Sequence, residues 1–226
     1  MALSKRLGCL HAHYSNIDYI EQALAPFDIE CVHFVDPALM HRVISDPNFK
    51  ESDAQHKVKE QLEWIAQANV DAILITCTNY VTLLREEHLS ITVPIIKIDE
   101  PYFDVICHRQ QPQKILFTNP ATIGGTMERL HHHANRLHKS LDIEVVVIDD
   151  TFDLIMQGRK EEYDQEIVKS LTHIIQDDMT PISVAQLSMV DAARQVEFET
   201  SKIIMNPLTP LVATIVRQLK AEKSAP

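Results

Sequence analysis

Four apolar, strand-like runs occur twice along this chain, in the same order and at nearly constant spacing. Arg6-Leu7-Gly8-Cys9-Leu10 is answered by Lys114-Ile115-Leu116-Phe117-Thr118, and Asp28-Ile29-Glu30-Cys31-Val32 by Asp142-Ile143-Glu144-Val145-Val146. Ile73-Leu74-Ile75-Thr76-Cys77 is answered by Ile182-Ser183-Val184-Ala185-Gln186, and Ile95-Ile96-Lys97-Ile98 by Ile203-Ile204-Met205-Asn206. The steps from Arg6 to Lys114, Asp28 to Asp142, Ile73 to Ile182 and Ile95 to Ile203 are 108, 114, 109 and 108 residues. A self-similar chain is read first as repeated units. Apolar runs alternating with amphipathic helical patterns signal βαβ units and a parallel sheet. The expectation is an α/β protein of two pseudo-symmetric domains, each a mainly parallel four-stranded sheet flanked by helices, with an active-site cleft between them. Residues 1–100 form the first half and 101–206 the second, and a C-terminal helix within 207–226 packs back on the first.

The connectors read as crossover helices. The spacing predicts helices over 16–25, 51–68, 102–109, 122–140, 161–177 and 211–220, with Ser15 an N-cap for the first and a further start at Val81. His131-His132-His133 are consecutive in the third long helix, so they point to different faces and cannot share one metal ion.

Composition removes several function classes. With 21 Lys and Arg against 32 Asp and Glu, the formal charge of −11 argues against nucleic acid or an anionic membrane as partner, since both need a basic face. A small anionic substrate held by local donors is compatible with it. Only 4 glycines occur, too few in the right places for a dinucleotide fingerprint or a phosphate-cradling loop. The 4 cysteines, at 9, 31, 77 and 107, are widely spaced and read as reduced thiols. No apolar run approaches the length of a membrane span and no signal-peptide pattern opens the chain, so a cytoplasmic protein is expected.

Cys77 is the residue with the clearest chemistry. It ends a β-branched run that reads as a buried parallel strand, at the carboxyl edge where open α/β sheets bind ligands. The following residues begin a helix, whose N-terminal N–H groups lower a thiol's pKa. A small buried hydrophobe is the alternative role. Thr78 and Asn79 beside it, and Thr118, Asn119 and Thr122 at the corresponding point of the second half, offer hydroxyls and N–H groups suited to a carboxylate, or to ordinary capping. Ser15 and Asn16 are weaker candidates of the same type.

These residues carry a resemblance. The order of boxes, a first strand ending in a polar loop, then Cys77-Thr78-Asn79, then Thr118-Asn119-Pro120-Ala121-Thr122, is similar to that of the aspartate/glutamate/hydantoin racemase superfamily, and it covers nearly the whole chain. The resemblance implies two α/β domains with the site between them, a reaction at the α-carbon of a small amino or carboxylic acid, and no pyridoxal phosphate, metal or other cofactor. It also implies a second thiol near the end of the seventh strand, where this chain reads Ala185-Gln186-Leu187-Ser188-Met189. Gln186 can only hydrogen-bond, so the two-thiol racemisation of the family is not available here. Three readings follow: an isomerase working through Cys77 alone, a one-face decarboxylase or lyase, and a catalytically silent ligand-binding protein. Gln186 and Ser188 would then donate hydrogen bonds to substrate, and a homodimer is a fold-level expectation.

A replacement acid or base is sought in His11-Ala12-His13, since histidine titrates near neutral pH; His11 is taken as that group. Its other reading is a hydrogen bond to the loop backbone. Two histidines two apart, with His33 or Asp36, could also hold zinc, but no further ligand spacing supports this and the resemblance needs no metal.

Overall fold

The computed structural model describes residues 4–109, 111–177 and 179–221. The chain divides into two compact units, one of Met1–Glu100 with Leu211–Pro226 and the other of Pro101–Pro210.

In the first unit, β1 (Lys5–His11), β2 (Ile29–Val35), β3 (Ala72–Ile75) and β4 (Ile95–Lys97) form one parallel sheet in the order β2-β1-β3-β4. Its helices include α1 (Ile17–Leu24), α2 (Pro37–Ser45), α3 (Glu51–Ala66) and α4 (Thr78–Leu83). The register pairs Cys9 with His33 on β2 and with Leu74 on β3. Side chains alternate across the sheet. Leu10, Ile73 and Ile75 therefore face one side, packed with Val58, Leu62 and Ile65 of α3 and Tyr80 and Val81 of α4. Cys9 and His11 face the other side, where Glu21 of α1 reaches His33.

The second unit repeats the plan. α5 (Glu100–His108) begins just before it, and β5 (Gln113–Phe117), α6 (Ile123–Arg136), β6 (Ile143–Val147), α7 (Phe152–Met156), α8 (Lys160–Asp177), β7 (Ile182–Val184), α9 (Val190–Thr200) and β8 (Ile204–Met205) follow. The order is β6-β5-β7-β8, again all parallel. Leu116, Ile182 and Val184 pack on Tyr163, Ile167 and Leu171 of α8 and Ala192, Ala193 and Val196 of α9. Ile115, Phe117 and Met205 pack on Phe103 and Ile106 of α5 and Leu130 and Ala134 of α6. Helices thus cover both faces, as a sheet made wholly of apolar parallel strands requires. α10 (Leu208–Leu219) closes the described chain, and no helix among the described residues is long and apolar enough to cross a membrane.

The eight strands fall where the repeat places them. Three helices, α2, α7 and α9, are additional to those read from spacing. α2 has a local cause: the Asp36 carboxylate accepts from the amides of Ala38 (2.9 Å) and Leu39 (3.3 Å), and Pro37 opens the helix. The first helix starts at Ile17 rather than at a Ser15 cap, because 14–16 form a 3₁₀ turn and the His13 ring accepts from the Ser15 amide. With few glycines, left-handed positions are taken by other residues; Ser201, at φ 55°, closes α9.

Gly8 lies in β1 where the sheet meets α3. A Cβ there would stand 2.6 Å from Ile65 Cγ2 and 3.3 Å from Val70 Cγ1. Ile65 is β-branched and fully packed, so it has little freedom to retreat. Gly8→Ala is expected to lower unfolding free energy by about 1–3 kcal/mol, seen as a lower denaturant midpoint with unchanged slope; an unchanged midpoint would contradict this packing.

Candidate functional site

The ladder between β1 and β3 runs one residue beyond β3, through a hydrogen bond from the Thr76 amide to the Leu10 carbonyl (3.0 Å). Cys77 follows as the N-cap residue of α4, with extended backbone at φ −118° and ψ 119°. It is half-buried and packs against the α3 and α4 core, while Thr78 is half-buried and Asn79 exposed.

The Cys77 thiol is pushed above its ordinary value, chiefly by burial and in part by the Asp99 carboxylate; the amides of Tyr80 and Asn79 pull it back down. The helix start does favour the thiolate, as the sequence suggested. It does not win: α4 has only 6 residues and burial costs the anion more. The net direction is therefore the reverse of that expected, and Cys77 is a protonated thiol at neutral pH.

His11 lies elsewhere than a solvent-facing acid or base would. It is fully buried, with Nδ1 2.8 Å from Thr76 Oγ1 and Nε2 2.8 Å from His33 Nδ1. Burial, aided by His33, lowers its pKa to about 4, so it is neutral. His33 Nε2 in turn meets Glu21 Oε1 at 2.8 Å. His13 does not join them; it pairs with Ser15, Nδ1 to Oγ 2.9 Å, on an exposed turn. The Asp36 carboxylate is occupied as the α2 cap and by Gln61, and Tyr80 donates to the Asp36 main-chain carbonyl. The set His11, His13 and Asp36 is thus not brought together. Asn16 instead donates to the Thr76 carbonyl (3.2 Å), tying the loop after β1 to the end of β3.

At the corresponding end of the second unit, the Ala185 amide donates to the Leu116 carbonyl (2.9 Å), and Gln186 follows. Its Oε1 accepts from the Thr118 amide (2.7 Å), the Thr118 hydroxyl (2.9 Å) and the Asn119 amide (3.1 Å). The donors that the sequence offers to a substrate carboxylate are therefore already held by a side-chain carbonyl. Asn119 caps the 3₁₀ turn through Ala121 (3.1 Å), and the Thr122 hydroxyl donates to the Asn119 carbonyl (2.9 Å). Ser188 Oγ is 2.8 Å from Tyr163 Oη, which is 3.1 Å from Thr118 Oγ1. Tyr163 was not foreseen: on α8 it is indistinguishable in sequence from any core aromatic.

No family model matches the sequence and no curated protein matches it. Solved structures do match in fold. An aspartate racemase from Picrophilus torridus superposes with a TM-score of 0.69 at 11% identity, covering 97% of this chain and 96% of that one. An allantoin racemase from Klebsiella pneumoniae gives 0.66 at 17% identity, covering 98% and 91%. A glutamate racemase from Bacillus anthracis gives 0.63 at 14% identity, covering 95% and 82%. The fold is the one these racemases share.

Removing the Gln186 carbonyl would strand three donors, and a buried donor left unpaired costs about 1–3 kcal/mol. Gln186→Ala is expected to lose stability in that range, with acetate at high concentration restoring part of it, whereas Gln186→Glu keeps an acceptor and loses less. Equal melting of both variants and the parent would show that this contact carries no weight.

Proposed function

We propose that this chain is a member of the cofactor-independent aspartate/glutamate/hydantoin racemase superfamily, acting as an isomerase at the α-carbon of a small amino or carboxylic acid, with Cys77 as its only proton-transferring thiol. The observation that carries the reading is the position of Cys77: the residue at which β3 leaves the sheet and α4 begins, within a fold shared with racemases of three substrate types. An α-hydrogen is a weak acid, so the reaction needs a base close to the carbon and donors for the enolate oxygens that form. Cys77 supplies the first when ionised, and Thr78 and Asn79 stand beside it for the second.

Gln186 neither gives nor takes a proton, and its carbonyl is held by Thr118 and Asn119. Together with the raised Cys77 pKa, this favours a second reading within the same superfamily. A thiol that stays protonated at neutral pH is suited to give its proton to one face of a carbanion, as a decarboxylase or lyase requires.

Two experiments separate these readings. In deuterium oxide, an isomerase washes deuterium into the α-position of its amino or dicarboxylic acid substrate, and Cys77→Ser abolishes the exchange; no Cys77-dependent exchange across a panel would exclude the isomerase. Carbon dioxide release from substituted malonates, with one stereoisomer formed, would instead establish the one-face reaction.

The pH profile gives a further test. If thiolate is the working base, kcat/KM rises through the ordinary thiol value near 9 and beyond it. Asp99→Asn removes a negative charge that opposes ionisation, so the rise should move to lower pH. If the thiol is the acid, the same range shows a fall. A profile unmoved by Asp99→Asn would contradict the electrostatic account.

A further inference from the structure

The sequence holds two Cys-x-His triplets, Cys9-Leu10-His11 and Cys31-Val32-His33. The first lies in β1 and the second in β2, which pair in parallel with Cys9 opposite His33 and Leu7 opposite Cys31. The two-residue period of a strand puts both thiols and both imidazoles on the same face. The ligand atoms of Cys9, His11 and His33 all lie within 4.8 Å of one another, and so do those of Glu21, Cys31 and His33. His33 is common to both groups, and Cys31 is close enough to Cys9 to act on its thiol.

We propose that this face is a zinc site, with Cys9, His11 and His33 as the preformed ligands and the nearby Cys31 thiol drawn in as the fourth. It is independent of the reaction proposed for Cys77. The hydrogen-bond arrangement supports it. The Thr76 hydroxyl lies 3.2 Å from the Leu10 carbonyl, to which it can donate, and 2.8 Å from His11 Nδ1. With its proton on Leu10, it accepts from His11 Nδ1–H. The Glu21 carboxylate accepts from His33 Nε2–H. In that tautomer the lone pairs of His11 Nε2 and His33 Nδ1 are both available to one cation; without it the same two atoms, 2.8 Å apart, share a hydrogen bond. Turning the Thr76 hydroxyl toward His11 restores a neutral chain from Thr76 through His11 and His33 to Glu21, and this is the metal-free form.

The chemistry of the donor set selects the ion. Two thiolates and two neutral imidazoles in tetrahedral array suit zinc, whose bonds of about 2.3 Å to sulfur and 2.0–2.1 Å to nitrogen set the two ring nitrogens roughly 3.3 Å apart, so on binding the histidines part slightly from 2.8 Å and the Cys31 thiol moves inward. Metal-bound histidines donate their other ring N–H to a carboxylate or oxygen acceptor, and here Glu21 and Thr76 already hold those places. Cys9 and His11 are fully buried, but His33 and Cys31 are only partly so and Glu21 is exposed, which leaves an entry path beside α1. Bound there, the ion would fasten β1 to β2, and through Thr76 would hold the residue that precedes Cys77.

The test uses the reduced full chain, stripped with chelator and titrated anaerobically with cobalt(II) and then zinc(II). One equivalent of cobalt should give intense tetrahedral bands and a thiolate-to-cobalt charge-transfer band, both erased by one equivalent of zinc, which also raises the melting temperature. Cys9→Ser and Cys31→Ser should each weaken the charge-transfer band, while Cys107→Ser keeps it. Because a buried Cys9 variant could fold poorly, Glu21→Gln on the exposed rim serves as a second probe, with zinc affinity expected to fall roughly 10- to 100-fold. Absence of the charge-transfer band, or a band that survives in both cysteine variants, overturns the proposal, as does cobalt held without thiolate by the exposed histidines of α6.

Discussion

The hydrogen bond from the Thr76 amide to the Leu10 carbonyl (3.0 Å) carries the β1–β3 ladder one residue past β3, and so decides where Cys77 leaves the sheet. Thr76 is held twice more, by His11 at its hydroxyl and by Asn16 at its carbonyl. Strand alternation then sends Thr76 and Cys77 to opposite faces: Thr76 toward the histidines, Cys77 toward the core under α3 and α4. The second unit keeps the same backbone bond, from Ala185 to Leu116, and spends the next position on a glutamine. One ladder thus serves two ends, and the chemistry of each depends on the residue placed just after it.

The two ends resolve their polar groups differently. In the first unit, the histidines, Thr76 and Glu21 satisfy one another behind the sheet, leaving Cys77 with burial, the Asp99 charge and two amides as the influences on its ionisation. In the second, the Gln186 carbonyl occupies the donors of Thr118 and Asn119 in the way a carboxylate oxygen would. A carboxamide there fills the nest without bringing a charge. The asymmetry is chemical rather than architectural, since strand order is the same in both sheets.

The strands were legible because apolar runs repeat at a fixed spacing, a signal that persists where identity to the racemases of the same fold is only 11–17%. Their limits were less so: Thr76 and Cys77 read as strand from their neighbours, yet β3 ends at Ile75. α2 is written in Asp36-Pro37, a cap-and-proline pair whose force appears only once the strand end before it is fixed. The position of Cys77 was legible; its pKa was not, because burial is a tertiary property and outweighs a short helix. Likewise, His11 read as a loop histidine, but β1 extends to include it, and that one residue turns it inward. The pairing of Cys9-x-His11 with Cys31-x-His33 depends on strand register, which spacing alone does not give.

Everything proposed for the reaction rests on Cys77 being the group that meets the substrate's α-carbon. A carboxylic acid bearing a bromine at that carbon reports on this directly, since attack by the thiolate leaves a stable thioether that peptide mass spectrometry can place. The account predicts a single adduct, on Cys77, forming faster as pH rises and slowed by the unmodified acid. Labelling at Cys31 or elsewhere with Cys77 untouched, or labelling of Cys77 that no small acid slows, would contradict it.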